Sequence, residues 1–462
     1  MLSKLFYAIY DFLWADLITI PIGTTQIGLP LLVLILIPVG IYFTIKTKFL
    51  PIRLFPKMIE VVKEKKVGED KNSISGWQAL IISTATRVGM GNLVGVVAAI
   101  SVGGAGAVFW MWISALVGSS TAFIEATLAQ IYKEKDPLYG GYRGGPAYYL
   151  HAFFAKGKKK SILAILFAFS GLLCWGGISQ VIGNSVTSAF KNAFSIPPLV
   201  TISILVVLSA IIVLRKNATV KVLDFIVPIM ACAFFGITIF IILTNLSLLP
   251  SVFAEIFQQA FGFKQVVAGG FGAVLMNGVK RGLFSNEAGS GSAPCAAAAA
   301  DISHPAKEGL LQALGVFIDT IVICTCTAMI MLLTPDSIIH GLTGMDLLQS
   351  AMNYHMGSFG VIFIAIILWL FSFSTFIGIL FYARGNVAYL FGDNWTSQTL
   401  YKIFCLIMLF IGGLAAYTFV WDLSDVGIGL MTIFNMLGLL PLSKKALDSL
   451  KEYEQSYKKI KE

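Results

Sequence analysis

The sequence predicts an all-α polytopic membrane protein with about eleven transmembrane helices, arranged as two inverted five-helix repeats preceded by one extra helix. Three observations carry this. Of 462 residues, 57% are apolar and only 12% charged, against about 25% charged in a soluble domain that must clothe itself in a solvated shell. Apolar runs of bilayer length recur along the whole chain. Glycine-interrupted segments open two stretches of five spans each. Together these exclude a soluble enzyme, a disordered chain and a nucleic-acid-binding domain. The net charge of +9 belongs to loops, because polytopic chains concentrate Lys and Arg on the cytoplasmic side.

Residues 1–20 combine Phe6, Trp14 and Leu17 with Asp11 and Asp16, the pattern of an interfacial amphipathic helix rather than a cleaved leader. Spans follow at 27–46, 75–100, 106–131, 161–190, 197–214, 221–245, 263–283, 308–334, 357–385, 399–417 and 420–442. The 46–74 loop carries Lys46, Lys48, Arg53, Lys57, Lys63, Lys65, Lys66 and Lys71, and the 132–160 loop carries Lys133, Lys135, Arg143, Lys156, Lys158, Lys159 and Lys160. The tail adds Lys444, Lys445, Lys451, Lys458, Lys459 and Lys461, while the alternate connections are nearly bare. The positive-inside rule therefore puts the N-terminus outside and the C-terminus in the cytoplasm of a cell-membrane protein. The expected organisation is 1–74, with the interfacial helix, extra span and basic loop; 75–245, the first repeat; 246–442, the second; and 443–462, a basic tail.

Five spans per half is an odd number, so the halves must be inverted. The second span is interrupted at Gly89-Met90-Gly91-Asn92 and the seventh at Gly269-Gly270-Phe271-Gly272. Such matched interruptions point to a transporter's substrate site; the competing reading is close helix packing through small residues. A helix broken in mid-membrane exposes amides that suit a carboxylate and carbonyls that suit a cation, and it must line a protein cavity. Inside or beside the spans lie Arg87, Glu125, Asp224, Glu287 and Asp319. Asp319 reads either as a proton or cation site or as the structural partner of Arg87, and the ion pair is the plainer reading. The six cysteines and four histidines show no metal-ligand spacing, so no cofactor is expected.

The stretches Gly89–Val96, Gly103–Trp112 and Phe284–Pro294 resemble the alanine or glycine:cation symporter family, with similarity over roughly 25–445. The resemblance implies a non-enzymatic secondary transporter of leucine-transporter-like architecture. It implies Na+-coupled uptake of small neutral amino acids, alanine and glycine, by alternating access, with the bilayer as the other partner and no nucleic acid. H+ coupling is the alternative; a channel would need a filter element that the sequence lacks. Carried onto this chain, the resemblance assigns substrate contacts to Thr84, Gly89, Met90 and Gly91, with the amides of Met90 and Gly91 receiving the carboxylate. Gly270, Phe271 and Asn277 would complete the pocket, Phe271 closing over the substrate. Gln180 stands in the third core helix, where related transporters place a tyrosine. The hydroxyls of Ser374 and Thr375 with the carbonyls of Ala85, Val88 and Phe371 would hold Na+. The run 284–300 is expected to be a packing or gating element at the cytoplasmic mouth.

Overall fold

In the computed structural model the described residues are 2–22, 25–64, 74–155, 160–215, 220–262 and 270–461. An amphipathic helix, α1 (Leu2–Trp14), leads into an antiparallel hairpin of β1 (Asp16–Ile22) and β2 (Thr25–Pro30), in register from Ile18 opposite Leu29 to Ile22 opposite Thr25. The N-terminal helix is therefore shorter than expected. Its end coincides with the β-rich run Leu-Ile-Thr-Ile, whose branched side chains favour extended backbone. The bundle follows: α2 (Leu31–Lys46), α3 (Gly76–Gly103), α4 (Gly106–Ile131), α5 (Ile162–Phe194), α6 (Pro198–Val213) and α7 (Val220–Thr244). It continues through α8 (Leu249–Ala260), α9 (Gly270–Asn286), α10 (Pro305–Leu332), α11 (Gly344–Phe391, kinked at Gly357), α12 (Trp395–Leu414) and α13 (Tyr417–Lys461).

Among the described residues, eight of these helices are long and apolar enough to cross a membrane. The apolar α2 and α6 fall just short in length; α9 is diluted by Asn277, Lys280 and Arg281. The lipid-facing side is visible in the side chains. On α12, Leu400, Ile403, Ile407, Ile411 and Leu414 are exposed at helical spacing, while Cys405, Leu409 and Gly412 are buried. A helix with exposed aliphatic residues along one stripe is stable only in an apolar solvent.

The long α5 packs against α11, α12 and α13, and its glycines set the closeness. A Cβ on Gly177 would lie 2.5 Å from the Ser424 nitrogen of α13, and one on Gly183 would overlap the Leu409 carbonyl of α12. Small residues here let backbones meet directly. At the basic end of the bundle, Arg53 pairs with Glu454 (2.7 Å), Lys307 with Glu64 (2.6 Å), and Lys133 donates to the Ala300 carbonyl (2.7 Å). These contacts gather the basic loops and the far end of α13. The basic tail is a helical continuation of the last span.

Three buried charges escaped the sequence reading. Lys280 and Arg281 of α9 both engage Asp425 of α13, at 2.6 Å and through two Arg hydrogen bonds of 3.0 and 3.1 Å. The N-terminal helix seals the cluster. Tyr10 accepts from Lys280 (2.7 Å), Trp14 Nε1 donates to the Asp425 carbonyl (3.1 Å), and Arg281 stacks on Trp421. Asp425→Asn should leave two buried cations without a counter-charge and cost about 3–5 kcal/mol, read as a lower melting temperature of the purified protein. The triple variant K280M/R281L/D425L should recover most of that loss, because well-packed apolar side chains replace buried ions at little net cost.

Candidate substrate and cation site

The glycine-rich segment of α3 does not unwind. Arg87–Gly95 continues the helix in wide, π-helical turns, and neither Gly89 nor Gly91 has a positive φ. This corrects the expectation of an interrupted helix, and packing supplies the reason. A Cβ on Gly89 would overlap Thr375 Oγ1 of α11 and lie 3.2 Å from the Phe371 carbonyl. On the other face, a Cβ on Gly91 would lie 3.0 Å from Ser285 Cα and 3.3 Å from the Phe284 carbonyl of α9. Helices on both sides thus approach the backbone itself. Wide turns of this kind recur at functional sites.

Toward α11 the segment meets a cluster of oxygens. The Ala85 carbonyl accepts from Thr375 Oγ1 (3.2 Å), while Ser374 Oγ donates to the Phe371 carbonyl (2.9 Å) and lies 3.4 Å from the Ala85 oxygen. The Met90 N–H donates to Thr375 Oγ1 (3.3 Å). Four members of the expected cation set, Ala85, Phe371, Ser374 and Thr375, are brought together in a buried place. Val88 lies in the same wide turns, its side chain outside the described residues. The Met90 amide, expected to face a carboxylate, is engaged by Thr375.

The expected substrate residues do not all converge. Thr84 is half-buried one position before Ala85. Gly270, with φ +63°, opens α9; Phe271 packs its ring on Trp110 (5.8 Å). Asn277 turns its amide back to the Ala273 carbonyl (2.8 Å), beside Gly103 at the far end of α3. This trio therefore sits away from Ala85 and Thr375. Gln180 packs against Gly412 of α12 and points its amide nitrogen at Met408 Sδ (3.8 Å). Residues 263–269, which include part of the expected seventh-span break, and the Asp224 side chain lie outside the described residues.

The irregular chain that follows α9 and borders the wide turns is 287–293. Glu287, Gly289 and Gly291 adopt left-handed backbone, at φ +57°, +93° and +82°. Glu125 of α4 accepts from the Gly289 N–H (3.0 Å) and from Asn435, which also donates to the Gly289 carbonyl (3.0 Å). Glu287 accepts from Tyr382 of α11 (3.0 Å) and lies 3.8 Å from Arg87 Nε. The partner of Arg87 is consequently Glu287 and not Asp319, because the left-handed turn at Glu287 aims its carboxylate at α3. Tyr382 was overlooked in the sequence. It follows Thr375 by two helical turns and so shares its face, which is the signal that points to it.

The backbone arrangement has a counterpart among solved structures. It is similar to a manganese transporter from Eremococcus coleocola, with a TM-score of 0.50 over 83% of this chain and 81% of that one, at 14% identity. The chain belongs to the sodium:alanine symporter family, whose pattern matches residues 16–462. It is 44% identical to a probable sodium/glutamine symporter, GlnT, of Bacillus subtilis over 93% of this chain and 88% of the relative. It is 34% identical to the sodium/alanine symporter AgcS of Methanococcus maripaludis over 92% and 94%. A sodium/proton-dependent alanine carrier protein of Bacillus sp. (strain PS3) is 35% identical over 88% and 93%. The protein is a Na+-coupled amino-acid symporter, not an enzyme.

Gly89→Ala should push Thr375 off the wide turns. The expected outcome is a rise of about tenfold, or ~1.4 kcal/mol, in the Na+ concentration for half-maximal uptake, with normal yield of folded protein on size exclusion.

Proposed function

We propose that this protein carries small neutral amino acids, alanine and glycine, into the cell together with Na+ by alternating access. The observation that supports it most is the meeting of the Ala85 and Phe371 carbonyls with the Ser374 and Thr375 hydroxyls where α11 touches the wide turns of α3. We assign these oxygens, with the Val88 carbonyl, to the coupling Na+. Backbone oxygens at helix irregularities are how transporters hold such ions. The ion would tie α3 to α11.

Coupling then follows from one hydroxyl. Thr375 Oγ1 accepts from Met90 N–H and donates to Ala85. An ion drawn to the same lone pairs displaces the amide, which becomes free for a substrate carboxylate. The Gly91 backbone beside it is the second element of the cradle, and Thr84 borders it. Gln180, Gly270, Phe271 and Asn277 enter this reading only through rearrangement during the transport cycle. The basic loops favour a cytoplasmic C-terminus and an external N-terminus in the cell membrane. Glutamine is the second substrate reading, since the sodium/glutamine relative is 44% identical against 34% and 35% for the two alanine relatives.

Labelled alanine uptake into proteoliposomes tests the proposal. Accumulation should follow an inward Na+ gradient, and Thr375→Ala should raise the half-maximal Na+ concentration and weaken alanine binding mainly at low Na+. Uptake that ignores Na+ and follows pH would overturn the assignment. Competition separates the substrates: excess glutamine that inhibits better than alanine favours the second reading. Lysine and glutamate should compete poorly, because an added buried charge would lack a partner.

A further inference from the structure

The end of the bundle remote from the basic loops holds a cavity of about 570 Å3, inside the range of about 300–1,000 Å3 usual for small-molecule sites. Helix α5 begins just after the basic 132–160 loop, and the cavity lies at its other end, from Asn184 to Lys191. Three helices start on its wall: α6 at Pro198, α11 at Gly344 and α13 at Tyr417. Helix starts give a wall partial positive charge. Asn184 Nδ2 donates to the Ala415 carbonyl (2.7 Å), which ties the link between α12 and α13 to α5.

Two opposite charges stand at the rim without meeting. Lys191, in the last turn of α5, and Asp346, in the first turn of α11, are both exposed and both line the cavity. Among the described residues, neither takes part in an ion pair. Asp346 is held in place by an amide instead. Asn192 Nδ2 donates to its Oδ1 (2.7 Å) and to Gln349 Oε1 (2.9 Å), and Gln349 Nε2 donates to the Ala189 carbonyl (3.0 Å). Deeper in the wall, Ser185 is buried and its hydroxyl has no hydrogen-bond partner. A buried hydroxyl is normally satisfied by protein, water or a ligand. An ammonium and a carboxylate that share a cavity but stay apart leave room for a molecule carrying both charges.

We propose that this cavity binds a free amino acid as its zwitterion, the carboxylate toward Lys191 and the Ser185 hydroxyl and the ammonium toward Asp346. Under the orientation that the basic loops favour, the site opens at the external mouth of the bundle, separate from the groups gathered at α3. It is built from a lysine, a carboxylate and a hydroxyl, so its occupancy needs no coupling ion. Charges this exposed stay hydrated and screened, which makes the site weak and suits it to collecting substrate rather than retaining it. The inference uses only the amino-acid class of the family and not the Na+ assignment on α11.

Calorimetric titration of the purified full-length protein with alanine, in Na+-free choline buffer, tests it. The wild type should show one weak, saturable binding event per chain. Lys191→Gln and Asp346→Asn should each weaken it about fivefold, the scale of one exposed charge contact. Both side chains are exposed, so both variants should fold. Absence of saturable binding without Na+, or wild-type binding in either variant, overturns the proposal. Propionate, which lacks the ammonium group, should bind about fivefold more weakly than alanine; equal binding would mark a general anion site and overturn the zwitterion assignment. Thr375→Ala separates the two sites, since it should leave the Na+-free binding intact. If Thr375→Ala abolishes that binding while Lys191→Gln retains it, alanine occupies the cradle at α3, and the transport reading survives without the outer site.

Discussion

Two helices touch the backbone of a third at neighbouring residues, and the centre of the molecule depends on that contact. Gly89 admits Thr375 from one side and Gly91 admits Ser285 from the other, at distances a methyl group would close. Wide turns relieve the crowding by giving α3 slack without exposing unbonded backbone to lipid. The same contact puts main-chain groups of α3 against the hydroxyls of α11, and the Asn92 side chain against the hydroxyl of Ser285 on α9. Polar chemistry at mid-membrane thereby needs few charged side chains.

Several of the buried charges belong to pairings that join separate helices. Arg87 meets Glu287, Lys280 and Arg281 share Asp425, and Glu125 is clothed in an amide and an asparagine. Partners of this kind offset a desolvation that would be prohibitive for a lone ion. They also give direction. The left-handed residues between 287 and 291 are fastened to α4, α11 and α13 through Glu125, Tyr382 and Asn435. Irregular chain is thus held in shape by its neighbours' side chains as well as by its own hydrogen bonds, such as those of Ser290 to the Glu287 carbonyl.

Composition and apolar run length made the bundle legible, and the hydroxyl pair on α11 stood out against an apolar helix. The geometry of Gly89–Asn92 did not. Glycine permits unwinding, wide turns and close packing alike, and a sequence does not distinguish them. Lys280, Arg281 and Asp425 were hidden because hydropathy averages over a span and says nothing of pairing between distant segments. Arg87 was matched to the wrong carboxylate for a related reason. Both Glu287 and Asp319 are acidic and near in depth, and a single left-handed residue decides which one reaches it. Gly270, Phe271 and Asn277 read as a pocket wall through the family resemblance, which carries no distances. Among the described residues, the irregular chain next to the wide turns is the later run from 287, which holds Gly289 and Gly291.

The last helix has 45 residues, about 68 Å of rise, more than twice the ~30 Å hydrocarbon core. Its far end is joined by Glu454 to Arg53, and Lys57 lies over the ring of Tyr457. With Asp425 held to α9 at one end, the helix has the geometry of a lever. A tilt of about 10° at the buried anchor sweeps the helix end some 40 Å away through about 7 Å. Water-accessible positions near Glu454 and Arg53 therefore report, from outside the bilayer, rearrangements too small to resolve within it.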